Sequence, residues 1–191
     1  MRAMGDEMFE RVLEIDLQGV WRTVSPALEQ IVARKGQVAV ISSVYAFSNG
    51  VMASPYAVAK AGVEALGRAL RVELAPHGAG ATVAHFGFVD TVMVQQAFDD
   101  DARGSGLLDT LPEAIKRRIT PAQAAEALVD GIQKRAPRVI VPALWRIPYF
   151  TRGLFGPLMD WVMARDKRVA EQIRTVEAPG AEAGIPTRPA S

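Results

Sequence analysis

Apolar positions first recur at helical spacing between Asp6 and Ala33, where Phe9, Val12, Leu13, Leu17, Val20, Trp21, Val24 and Leu28 make one side of a long amphipathic helix. The pattern then shortens. Gly36 is followed by a compact apolar run, Gln37-Val-Ala-Val-Ile-Ser-Ser43, which predicts a buried strand with two serines at its carboxyl end. From Ser54 the helical period returns through Ala57, Ala59, Ala61, Ala65, Leu66, Ala69 and Leu70, mostly strong helix formers, until Ala75-Pro-His-Gly78 stops it. Ala81-Thr-Val-Ala-His-Phe-Gly87 predicts a second short strand, and Phe88-Val-Asp-Thr91 leads into a further helix. Thr120 followed by Pro121 is a strong helix start, with an N-cap side chain and a proline where no amide donor is needed. Arg138-Val-Ile-Val141 predicts the last strand.

Three stretches are less regular. Phe98 to Leu111 is rich in Asp and Gly and shows no period, so it predicts a loop. Val139 to Met163 is apolar and aromatic, but Pro142, Arg146, Pro148, Arg152 and Pro157 interrupt it, and no run reaches the 18 or so residues a membrane span needs. Three readings of it stand: a helical lid on the core, an apolar wall for a lipid-like or steroid-like substrate, or a weak interfacial membrane contact with Trp and Arg anchors. Pro179 to Ser191, rich in Pro, Gly and Ala, predicts a disordered tail. Residues 1–178 are then one partial domain, with an apolar helical region at about 143–176.

Composition narrows the classes. At 191 residues and 49% hydrophobic content the chain can bury a core, and 22 basic against 21 acidic residues give no general attraction to nucleic acid. Without cysteine there is neither disulfide nor thiolate metal site, and the amino terminus carries no apolar signal segment, so a cytoplasmic location is expected. His77 and His85 have no carboxylate cluster around them and read as structural rather than as metal ligands.

The candidate chemistry lies in Tyr56-Ala-Val-Ala-Lys60, with Ser43 thirteen residues upstream. Residues four apart share a helix face, so a phenol and an ammonium can meet there, and an ammonium beside a phenol favours the phenolate. By spacing alone such a pair is more often a half-buried aromatic beside a solvated charge. The context adds to it: the serines close a strand at the carboxyl edge, where open α/β sheets hold ligands. A strand ending Ile41-Ser-Ser43, then Tyr56 and Lys60, then a strand running into Gly87-Phe-Val-Asp-Thr91, resembles the short-chain dehydrogenase/reductase family in order and spacing over roughly residues 6 to 142.

The resemblance implies a Rossmann-like doubly wound parallel sheet with flanking helices, and an oxidoreductase moving hydride between NAD or NADP and an alcohol or ketone. It implies that Tyr56 exchanges the proton, that Ser43 orients the substrate oxygen, and that Lys60 supports Tyr56 and holds the nicotinamide ribose. Gly87, Val89 and Thr91 become candidate cofactor contacts beside Tyr56 and Lys60. It also implies a homodimer or homotetramer packed through the first helix and the Tyr56 helix.

There are three departures from the family pattern. Phe86-Gly87 stands where the family has proline-glycine, which removes a fixed angle but keeps the glycine. Asp16 stands where the family has a relay asparagine; a carboxylate accepts hydrogen bonds but, ionised, cannot donate them. The TGxxxGxG phosphate loop and its βαβ units are missing, as a downstream start, a cloned segment or a degenerate gene would each produce, so weak cofactor binding by this chain alone is expected. The rival reading is a catalytically silent fragment acting only through its interface helices. An epimerase or dehydratase using the same pair is a third.

Overall fold

In the computed structural model the described residues are 4–98 and 113–178. The predicted loop beyond Phe98 and the predicted tail beyond residue 178 lie outside them.

The amphipathic stretch is helical throughout but not uniform. It runs as α1 (Asp6–Leu13), a π-helical turn (Glu14–Gln18), α2 (Gly19–Val24), a 3₁₀ turn at Pro26 (Ser25–Ala27) and α3 (Leu28–Ala33). Pro26 accounts for the 3₁₀ turn, because it cannot supply the α-helical amide bond. The π-turn has no signature in the sequence, and it contains Asp16. Then follow β1 (Gln37–Ser43), α4 (Ser54–Leu74), β2 (Gly80–Phe86), α5 (Val92–Phe98), α6 (Glu113–Lys116), α7 (Pro121–Gln133) and β3 (Arg138–Val141). Thr120 caps α7 through a capping box with Gln123, as its sequence predicts. The apolar region folds into α8 (Arg146–Phe150), α9 (Arg152–Met163) and α10 (Lys167–Val176).

The three strands are parallel in the order β1-β2-β3. Their register aligns the carboxyl ends: Ser43 stands opposite Phe86, and Phe86 opposite Val141. At the other end the Arg135 guanidinium donates to the carbonyls of Lys35, Gly36 and Gly78 and gathers the incoming turns. Helix α4 lies on the sheet over Val38, Val40, Ala81 and Val83, burying Val63, Leu70 and Leu74, and Leu17, Val20 and Leu28 of the first helical run pack against the same cluster. The approach is closest at Gly67. A Cβ there would stand only 2.5 Å from Val40 and 2.6 Å from Val83, so the glycine sets the helix-to-sheet distance. The outer edge of β1 pairs with no strand among the described residues, and Ile41 on it is 40% exposed.

Candidate active site

Two serines at the end of β1 have different work. Ser42, buried, donates to the Lys60 carbonyl at 2.8 Å and pins the first turns of α4 against the strand. Ser43, also buried, accepts from the Tyr45 amide at 3.2 Å and lies 3.4 Å from the Phe86 carbonyl. The 3.4 Å contact is long for a hydroxyl donor, so the Ser43 hydrogen is loosely held and can turn toward another acceptor.

Tyr56 and Lys60 share one face of α4. The Lys60 ammonium lies 5.3 Å from the centre of the Tyr56 ring and 2.8 Å from the Asp16 carboxylate. Lys60 is buried to 9% exposure, and an ammonium so far from water needs a counter-charge. Asp16 supplies it from the π-turn, which is a common place for functional side chains. The structure therefore brings Asp16, Lys60 and Tyr56 into one chain of contacts. Ser43 joins it through Tyr45, whose ring meets Tyr56 edge-on at 5.7 Å. Tyr45 is pushed up to about 12, first by burial and then by facing Tyr56, so it stays a neutral phenol at any ordinary pH.

The segment after β2 leaves the same carboxyl edge of the sheet and packs against the chain that follows β3. Gly87 donates its amide to the Val141 carbonyl at 2.9 Å, and a Cβ on it would come within 3.0 Å of both Pro142 and Trp145. A side chain there would need Pro142 or Trp145 to give way by a few tenths of an ångström. Val89 bridges Ile119, and Thr91 precedes α5, its hydroxyl accepting weakly from the Val94 amide at 3.4 Å.

One turn beyond Lys60 lies a buried polar group that no motif in the sequence marks. Glu64, 3% exposed, takes both a 2.8 Å and a 3.0 Å contact from Arg152 and a 3.3 Å bond from the Tyr149 hydroxyl. It ties α8 and α9 to α4. The available signal was an acid continuing the Tyr56–Lys60 face at i+4. His85 lies against the same group, fully buried between Phe47 and Tyr149, with Nδ1 3.3 Å from the Ser43 carbonyl oxygen.

Burial pushes His85 below the ordinary histidine range, opposed by Glu64. The unfolded chain then binds more protons than the folded one below about pH 6.5, and stability present at neutral pH is lost as pH falls. The melting temperature is expected to drop between pH 7.5 and 5, and His85→Phe to flatten that slope. An unchanged slope in His85→Phe, with His77→Asn as surface control, would assign the acid sensitivity elsewhere.

Comparison with known proteins finds that the profile of the short chain dehydrogenase family matches residues 1–102. The (-)-trans-carveol dehydrogenase of Rhodococcus erythropolis is 36% identical over 92 residues, covering 47% of this chain and 33% of that protein. Cyclopentanol dehydrogenase of a Comamonas species is 27% identical over 132 residues, covering 69% of this chain and 52% of that one. The chain thus spans between a third and about half of the length of these relatives. Among solved structures, an actinorhodin polyketide ketoreductase with NADPH superposes with a TM-score of 0.61 at 26% identity, over 72% of this chain and 59% of that one. No described helix is long and apolar enough to cross a membrane.

Proposed function

The chain belongs to the short-chain dehydrogenase family, and on that premise we propose that it is the catalytic portion of an NAD- or NADP-dependent oxidoreductase acting on a hydrophobic alcohol or ketone. The observation that carries the reading is the Asp16–Lys60–Tyr56 chain of contacts at the carboxyl edge of the sheet. The residues fit the nicotinamide end of a dinucleotide. Lys60 spends one donor on Asp16, so it has donors left for ribose hydroxyls, and the Gly87–Thr91 segment lies at the same edge. When bound, the cofactor supplies or accepts the hydride.

The protein's own residues handle the proton. Tyr56 exchanges it with the substrate oxygen, and Ser43 turns its hydroxyl from Phe86 toward that oxygen. The Lys60 ammonium, held by Asp16, stands behind the phenol, and the partly exposed Asp16 links it to solvent. The substrate class is supported by the apolar alcohols in the names of the relatives.

The 191 residues include no glycine-rich phosphate turn. We therefore place activity in a protein that adds one, its strand pairing on the free edge of β1, and expect the present chain alone to bind NADH or NADPH weakly. The test is NAD(P)H oxidation with a panel of hydrophobic ketones, comparing this chain with an in-frame extended form. Turnover in the extended form supports the reading. Absence of both turnover and cofactor binding in either form leaves the silent interaction fragment instead. For assembly we propose a homodimer or homotetramer through the first helical run and the amino-terminal part of α4, where Ile15, Trp21 and Val58 are exposed. A monomeric mass by light scattering would remove that part.

A further inference from the structure

The 3₁₀ turn before α8 buries Trp145 and α8 buries Tyr149, yet the outer side of α8 and α9 is unusually apolar. Ile147, Phe150, Leu154, Leu158 and Trp161 follow each other at steps of three and four residues, and each is between 56% and 79% exposed. Scattered exposed apolar residues need no explanation, but a stripe running along two consecutive helices does. Packing of this region on the core, one of the three readings open in the sequence, involves Trp145 and Tyr149 but not these side chains. The structure buries their neighbours instead.

Charge gives the stripe its second property. From Ala143 to Val176 there are six basic and three acidic side chains, in a chain whose net charge is only +1. Two of those acids are engaged: Asp160 accepts from Asn49 and Asp166 from Arg168. Arg165 lies 4.4 Å over the Trp161 ring at one end. At the other end Arg138 covers Phe150 at 5.3 Å and Tyr149 at 5.2 Å. The same Arg138 and Tyr149, with Arg68 and Arg71, line a cavity of about 180 Å³; Arg68 is paired at 3.9 Å with Glu64, which already holds Arg152, and Arg71 spends one donor on the Ala81 carbonyl at 3.1 Å. An apolar stripe that ends in an arginine-lined cavity matches acyl chains next to a phosphate better than it matches a second copy of the same basic surface.

We propose that α8 and α9 dock this protein onto an anionic lipid bilayer, the stripe entering the boundary between headgroups and acyl chains, and Arg68, Arg71 and Arg138 receiving a headgroup phosphate. Trp161 and Arg165 form the rim. The Asn49–Asp160 bond of 2.7 Å fastens α9 to the loop between Ser43 and Tyr56, so docking turns that loop toward the bilayer. The proposal depends only on this surface and stands apart from the catalytic reading.

The experiment is co-sedimentation of the full chain with phosphatidylglycerol vesicles and with phosphatidylcholine vesicles, alongside quenching of tryptophan by brominated phosphatidylglycerol. Binding is expected to phosphatidylglycerol and to weaken at high salt. Leu154→Ser with Leu158→Ser should weaken it at least about tenfold, since both side chains are exposed and their loss leaves the core intact. Arg68→Gln with Arg138→Gln should reduce the preference for phosphatidylglycerol over phosphatidylcholine. Quenching in the unaltered protein that disappears in Trp161→Phe supports the docking geometry without any core substitution. Failure to sediment with phosphatidylglycerol overturns the proposal. So does a dimer that Leu154→Ser dissociates while lipid binding is absent, which assigns the stripe to a second copy.

Discussion

Tyr56→Phe, made in a protein that joins this chain to a phosphate-binding segment, is expected to lower turnover by about two to four orders of magnitude while leaving cofactor affinity within about threefold. The substitution removes one hydroxyl and keeps the ring that meets Tyr45 edge-on and carries Lys60 over its face. A loss confined to turnover would mark the hydroxyl as the group that exchanges the proton, because a packing defect would disturb binding as well. Tyr45→Phe is the matched control. Its phenol is pushed up to about 12 and so does not give up a proton near neutrality; turnover should stay within about tenfold. Full turnover in Tyr56→Phe, or a collapse in Tyr45→Phe of the size predicted for Tyr56, would falsify the assignment.

The largest stability effect is expected at Gly67. A leucine there meets two buried, β-branched side chains, Val40 and Val83, from adjacent strands, with neither free to swing away. Helix propensity favours leucine over glycine by about 1 kcal/mol, but overpacking of this kind costs about 3 kcal/mol or more. In a chain of this length Gly67→Leu should lower the melting temperature by roughly 5–10 °C. Gly153→Ala provides the contrast: it too is a helical glycine, nothing lies within 4 Å of the added Cβ, and it should be neutral or mildly stabilising. Equal melting temperatures for Gly67→Leu and the parent would show that α4 can lift off the sheet at little cost.

Much of the architecture was legible because it follows from local rules. The predicted helix from Ser54 and the predicted strands at the two serines and at Arg138 appear within a residue or so of their expected limits, and Thr120 caps its helix with the partner its sequence supplies. Tyr56 and Lys60 were legible for the same reason, since a four-residue step on a helix needs no tertiary information. The resemblance singled out Asp16, but its contact was not legible. Its distance from Lys60 depends on a π-turn that shifts its direction and on the crossing of two helices 44 residues apart.

Glu64 shows the same division from the other side. Along the sequence it is one acid among many on a helix. Only the return of the chain, 88 residues later, places Arg152 against it and makes it a buried anchor for the last helices. Local periodicity and turn chemistry therefore determined the elements, their order and the two residues of the site that share a helix, because those depend on neighbours within a few positions. Long-range packing decided which charges are buried together, which glycines are irreplaceable and which apolar face of the last helices remains outside, because each of those is set by what another part of the chain brings against it.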